Sequence, residues 1–230
     1  MCPKAACRAR SKVDCRDLNM SALFPMFLKL SGKRCLVVGA GKVGEAKIVG
    51  LTETGADIHV VAIQATDGVH ELARAGKIVL ELRAFSLDDL DGVFLAVVAT
   101  ASSRLNEAIY NEAQRRGILC NVVDVPNLCD FYYPAVVRRG DLQIAISTNG
   151  QSPALAQRLR LQLERQFGLG YAGWVAELGA TRNLVLASNL TRERKLDLLH
   201  SLASREAFEA AVREQTIEEE RVHDDGRVLV

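Results

Sequence analysis

No stretch of this sequence approaches the roughly 20 consecutive apolar residues that a membrane span requires. The longest apolar run, Val93 to Ala101, has the length of a buried strand. An excess of one charge is missing too. The 29 Lys and Arg residues against 28 Asp and Glu leave a formal net charge of +1, which gives no general pull toward nucleic acid or a membrane surface. The first nineteen residues hold Cys2, Cys7 and Cys15 among Lys and Arg but lack the apolar core of a signal peptide. Metal-ligand spacing is absent: His59, His70, His200 and His223 are scattered, and none has a Cys or Glu partner in a known pattern. These absences lead to the expectation of a soluble cytoplasmic protein with no permanent metal site. All six cysteines are read as reduced thiols, and residues 1–21 as a disordered basic tail.

What is present is a glycine run, Gly39-Ala-Gly41-Lys42-Val43-Gly44, between a short apolar segment, Arg34 to Val38, and a helical one, Glu45 to Leu51. A strand, a glycine turn and a helix in that order are the context that gives such a run its meaning. Gly39 permits the tight turn, Gly41 lets the backbone approach a pyrophosphate, and Gly44 lets helix and strand pack closely. The pyrophosphate then rests on the helix N-terminus, where free N–H groups and the dipole favour an anion. The expected cofactor is NAD, held by Gly39, Gly41, Lys42, Val43 and Gly44. Folds of this kind often place an Asp or Glu at the end of the next strand to hold the adenosine ribose. Here Ala62, Ile63 and Gln64 stand at that end, and the missing carboxylate leaves NAD against NADP open.

Further strands are expected at 57–62, 78–82, 92–99 and 118–123, with helices at 67–75 and from Ser103, as its cap, to Arg116, where Gly117 ends it. Thr100 follows the fourth strand at the edge where a parallel sheet binds its ligand. Past residue 125 the pattern changes to a hairpin, 135–138 and 142–147, followed by a helix to Phe167 capped by Ser152 with Pro153 at its first position. Helical segments alone follow, around 171–179, 191–199 and 205–220. The chain therefore reads as α/β. A Rossmann-like parallel sheet domain spans 22–125, a small α+β dimerisation and substrate element spans 126–167, and a helical domain spans 168–230.

Several of these segments together resemble a known family. The run from Gly39 to Lys47, Asn121-Val-Val-Asp124-Val-Pro126, the Cys129-Asp130-Phe131 to Pro134 element, and Gly140 through Ile146-Ser147-Thr148-Asn149-Gly-Gln-Ser152-Pro153 are similar to the siroheme synthase dehydrogenase/ferrochelatase family over about residues 22–170. The resemblance implies NAD⁺-dependent conversion of precorrin-2 to sirohydrochlorin, and in several members Fe²⁺ insertion to give siroheme. The methyltransferase domain fused to some members has no counterpart in this sequence. The first nineteen residues match nothing in the family, and the last sixty fit its helical part loosely.

The resemblance singles out Asp124 as the catalytic carboxylate for both reactions, although an Asp at that place is also an ordinary turn former. The 147–152 loop, with Ser147, Thr148, Asn149 and Ser152, offers hydroxyls and N–H groups to a carboxylated substrate, or simply caps its helix. Arg138, with Arg139, Arg158 and Arg160, can pair substrate carboxylates. Asp130 reads equally as a turn residue, and His59 as structural. Apolar helical faces beyond residue 150 suggest a homodimer. A non-catalytic NAD-sensing module is the alternative to the enzyme.

Overall fold

A computed structural model describes residues 23–204 and 206–211; the expected tail at 1–21 and the last helical segment beyond 211 lie outside the described residues. The described chain forms two compact units, one spanning Phe24–Tyr133 and the other beginning at Pro134.

In the first unit, β1 (Arg34–Ala40), β2 (Asp57–Ala65), β3 (Val79–Leu82), β4 (Leu95–Val98) and β5 (Leu119–Val122) form one sheet in the order β3-β2-β1-β4-β5. Every pairing is parallel. The connections are α1 (Lys42–Thr52), α2 (Asp67–Arg74), a short 3₁₀ turn at Leu87–Leu90, and α3 (Ser103–Arg116). This is a Rossmann-like sheet. Its strand order reverses between β1 and β4, the point at which sheets of this kind bind ligands beyond the strands' carboxyl ends.

The continuous apolar run of β1 follows from burial on both faces. Successive residues point to opposite sides. Cys35 and Val37 enter a cluster with Ile48 and Leu51 of α1 and Val69 of α2. Leu36 and Val38 enter a second cluster with Ile109 and Ala113 of α3 and with Leu90. Three layers thus arise from the alternation along one strand.

Several boundaries differ from the sequence reading. Ser102, not Ser103, caps α3, its hydroxyl accepting from the Leu105 N–H at 3.3 Å. The other end is as expected: Gly117 ends that helix in the left-handed conformation, φ 69°. β2 runs three residues beyond 62, so Ile63 and Gln64 lie within it. The first unit also extends past residue 125, because the segment after β5 folds back onto it. Asn121 Nδ2 donates to the Phe131 carbonyl (2.7 Å), and Asp130 accepts from the Cys120 N–H (2.8 Å) and from Gln114 Nε2 (2.7 Å).

The second unit contains the hairpin β6 (Ala135–Arg139) and β7 (Leu142–Ile146), then α4 (Pro153–Gln166), α5 (Tyr171–Ala187) and α6 (Arg192–Leu202), with helix again at 206–211. Phe167, Tyr171, Trp174 and Phe208 form one aromatic cluster, with Tyr171 and Phe208 stacked at 4.1 Å between centroids. No described helix is long and apolar enough to cross a membrane.

The surface of α3 supplies an acid-sensitive contact. Glu112 accepts from Arg115 and Arg116, whose guanidinium groups hold its carboxyl at about 2 against an ordinary 4.5. A carboxyl depressed by folding stabilises the native state above its unfolded value and ceases to do so as pH falls through the folded one. Glu112→Gln is therefore expected to reduce the loss of urea midpoint between about pH 4.5 and 2. Because the contact lies at the surface, raising the salt concentration should narrow the difference from the parent protein.

Candidate functional site

The site is built from the turn between β1 and α1. Gly39 has φ 101°, and a Cβ there would lie 2.3 Å from the Ala99 carbonyl oxygen, just past β4. A Cβ at Gly44 would lie 2.1 Å from the Gly39 carbonyl oxygen. Both glycines are thus required by close backbone approach. Gly41 differs: nothing stands within 4 Å of where its Cβ would be. Gly41 is also the N-cap of α1 and makes no side-chain cap, whereas α3, α4 and α6 are capped by Ser102, Ser152 and Thr191. An uncapped helix N-terminus behind an open glycine fits a dinucleotide's pyrophosphate.

The residues around this turn share the carboxyl edge of the sheet. Lys42 and Val43 are exposed at the start of α1. Ile63 (69% exposed) and Gln64 stand out from the last residues of β2. Thr100 follows β4, with its hydroxyl donating to Asn106 Oδ1 at 2.6 Å. That bond ties the turn to α3 and buries Asn106.

Asp124 lies two residues past β5, exposed, with φ 62°. Few non-glycine residues adopt this left-handed conformation, and Asp is among those that tolerate it. The turn is closed by Val125 N–H donating to the Val122 carbonyl (3.1 Å) and Leu128 N–H to the Val125 carbonyl (2.9 Å). Cys129 Sγ donates to the Val122 and Val125 carbonyls, bracing the same turn.

Lys47 on α1 was given no role by the sequence, yet Asp124 acts on it electrostatically. Its ammonium lies 3.8 Å from the Tyr133 ring centroid. Burial lowers its pKa, and the negative charge of Asp124 works in the opposite direction. Burial pushes the Tyr133 hydroxyl up. The signal available beforehand was a lysine one turn inside a helix that otherwise packs against the sheet. Asp130 is held by its two hydrogen bonds and serves the fold. His59 contacts Asp57 within β2. Burial raises the Cys35 thiol to about 11 and the Cys120 thiol to about 12, so both stay protonated at neutral pH.

In the second unit the 147–152 loop is organised by its own hydroxyls. Ser147 Oγ accepts from the Asn149 N–H (3.1 Å), Thr148 Oγ1 from the Ser152 N–H (3.0 Å), and Ser152 Oγ from the Leu155 N–H (3.2 Å). Asn149 (φ 52°) and Gly150 (φ 75°) turn the chain. Arg138 is exposed on β6. Arg139 donates to the Glu164 and Phe167 carbonyls, closing the C-terminal end of α4. Arg160 pairs with Glu164. Among the described residues no three His, Cys, Asp or Glu side chains gather into a possible metal site.

Residues 26–135 match a family described as putative NAD(P)-binding, and residues 139–166 match one described as sirohaem biosynthesis protein central. The chain is 40% identical over 140 residues to a siroheme synthase of Nitrosococcus oceani, covering 61% of this chain and 30% of that protein. It is 35% identical over 184 residues to siroheme synthase 1 of Pectobacterium atrosepticum, covering 80% of this chain and 36% of that one. The chain thus spans about a third of the length of these curated relatives. The solved structure of SirC, a precorrin-2 dehydrogenase, is similar with a TM-score of 0.71 and 27% identity, over 86% of this chain and 98% of that one.

The glycines provide a test that separates packing from ligand binding. Gly44→Ala is expected to lower stability by about 2 kcal/mol or more through overpacking against backbone, seen in a thermal melt. Gly41→Ala should leave the melt nearly unchanged, since its Cβ enters open space, yet weaken NADH binding roughly tenfold in a fluorescence titration.

Proposed function

We propose that this chain, which belongs to the siroheme synthase dehydrogenase/ferrochelatase family, dehydrogenates precorrin-2 to sirohydrochlorin, with Asp124 as the base. The observation that carries the reading is an exposed carboxylate, Asp124, in a left-handed turn at the same sheet edge as an uncapped glycine turn. When bound, NAD⁺ supplies the acceptor for the hydride that the macrocycle loses. The backbone from Gly39 to Gly44, with Lys42 and Val43, holds the pyrophosphate. Ile63 and Gln64 flank the adenosine, and Thr100 borders the nicotinamide end of the crevice.

The oxidation removes a hydride and a proton from the substrate, so a group on the protein must accept the proton. Asp124 is suited to this by its exposure and by the turn that fixes its backbone. The substrate's carboxylates bind Arg138 and the loop formed by Ser147, Thr148, Asn149 and Ser152, through guanidinium and hydroxyl donors.

We further propose that the same Asp124 accepts pyrrole protons when Fe²⁺, as a substrate, enters sirohydrochlorin. The working form is a homodimer, supported by the exposed leucines of the helical unit, among them Leu184 (73% exposed), Leu186 and Leu196. The cytoplasm is the proposed compartment, supported by the free thiols of Cys35, Cys120 and Cys129.

The test is anaerobic: precorrin-2 generated in situ, purified protein, NAD⁺, and the visible spectrum followed before and after Fe²⁺. Sirohydrochlorin should appear only with protein and NAD⁺ together, and its spectrum should change on Fe²⁺ faster than without protein. Asn also tolerates the left-handed conformation, so Asp124→Asn removes the charge and keeps the turn. That variant should lose at least about a hundredfold in rate, the usual scale of a positioned acid–base group, while binding NADH as the parent does. Nucleotide binding without any spectral change in the parent protein would leave a dinucleotide sensor in place of the enzyme.

A further inference from the structure

The ribose of a dinucleotide bound to such a sheet lies over the end of the second strand, where an acidic side chain ordinarily takes its 2′-hydroxyl. β2 ends in Ile63, Gln64 and Ala65, with no carboxylate. The pairing of β1 with β2 slips at this point: Val38 faces Val61, but Ala40 faces Ala65. The longer β2 side brings Thr66 against the glycine turn, its N–H donating to the Ala40 carbonyl at 3.1 Å.

From the other side a carboxylate reaches the same corner. Glu45, the first residue of α1 after the glycine run, accepts from Thr66 Oγ1 at 2.7 Å through Oε2. Its Oε1 fills the space beside Gly68, where a Cβ would lie 2.1 Å from it. Asp67 precedes Gly68 in the first turn of α2 and is exposed. The corner bounded by the glycine turn, the end of β2 and the start of α2 is therefore negative, although β2 itself supplies no acid.

We propose that Glu45 is the residue that selects NAD over NADP: a carboxylate supplied from α1 does the work usually done from the end of β2. A ribose 2′-hydroxyl can donate to a carboxylate at this corner. A 2′-phosphate brings a second negative charge there and is repelled. This inference rests on the NAD-dependent reading and assigns the selectivity of that same site.

The experiment is a fluorescence titration of the whole chain with NADH and NADPH, which needs no turnover. The parent protein should bind NADH at least about tenfold more tightly than NADPH, with the gap narrowing at high salt. Glu45→Gln keeps the length of the side chain and an oxygen for Thr66, and should shrink the ratio roughly tenfold, mainly by tighter NADPH binding. Gly68→Ala is the second variant. Its methyl group displaces the carboxylate without removing a charge, so the ratio should fall there too, and it serves if Glu45→Gln does not fold. Equal binding of the two nucleotides by the parent, or an unchanged ratio in a folded variant, overturns the role of Glu45. Failure of the parent to bind either nucleotide overturns the NAD-dependent reading itself, and this inference with it.

Discussion

The close approach of three backbone segments, with no room for a Cβ at either glycine, is the constraint on which the first unit depends. The Ala99 N–H donates to the Val38 carbonyl at 2.8 Å, so β4 continues alongside β1 just where Gly39 turns away. Gly44 then brings α1 down onto the Gly39 carbonyl. That contact fixes the rotation of α1 as well as its distance. Gly44, Ile48 and Leu51 form the buried stripe of the helix. At about 100° per residue, Glu45 and Lys47 fall on opposite flanks of that stripe. One flank reaches Thr66 at the start of α2, the other the Tyr133 ring, within the field of Asp124. A single packing contact therefore aims one charge at each end of the crevice.

The far side of the site is made by a return of the chain rather than by a regular element. After β5 the backbone turns through Asp124 and doubles back, with Asn121 and Cys129 bridged across the bend. Asp130, Asn121 and Cys129 each bond backbone groups of this bend or of β5, and Asp130 accepts from Gln114 of α3 as well. Buried polar groups are tolerated when partnered, and among the described residues no buried side-chain nitrogen or oxygen lacks a partner. The bend is thereby rigid enough to hold a non-glycine residue at positive φ.

Much of this was readable in advance. The apolar runs, the glycine turn and the caps at Ser152 and Gly117 express local rules that act within a few residues, and the structure follows them. The cap of α3 moved by one residue because the choice between neighbouring serines depends on which hydroxyl meets the Leu105 N–H. What the sequence did not disclose was long-range. Glu45 meets Thr66 across 21 positions, and Lys47 meets Tyr133 across a far longer separation. The run from Gly39 to Lys47 that contains both residues does not tell what either side chain meets, and both contacts depend on a helix rotation fixed by packing. The extra residues of β2 were equally hidden, since a bulge leaves no periodic mark in a run that is apolar almost throughout.

The same distinction sorts the polar residues that looked alike in sequence. Asp124 and Asp130 are six positions apart, both beside prolines or turns, and both exposed by residue. Asp130 accepts a backbone N–H and a glutamine amide, so a charge there is already matched within the fold. Arg139 likewise satisfies carbonyls at the end of α4, while Arg138, its neighbour on the strand, points to the other side of the hairpin. A residue committed to several internal partners cannot exchange them for a substrate without loosening what it holds. Asp124 stands instead on a turn whose bracing comes from backbone groups and Cys129, so the contacts that keep the turn closed do not run through its carboxylate.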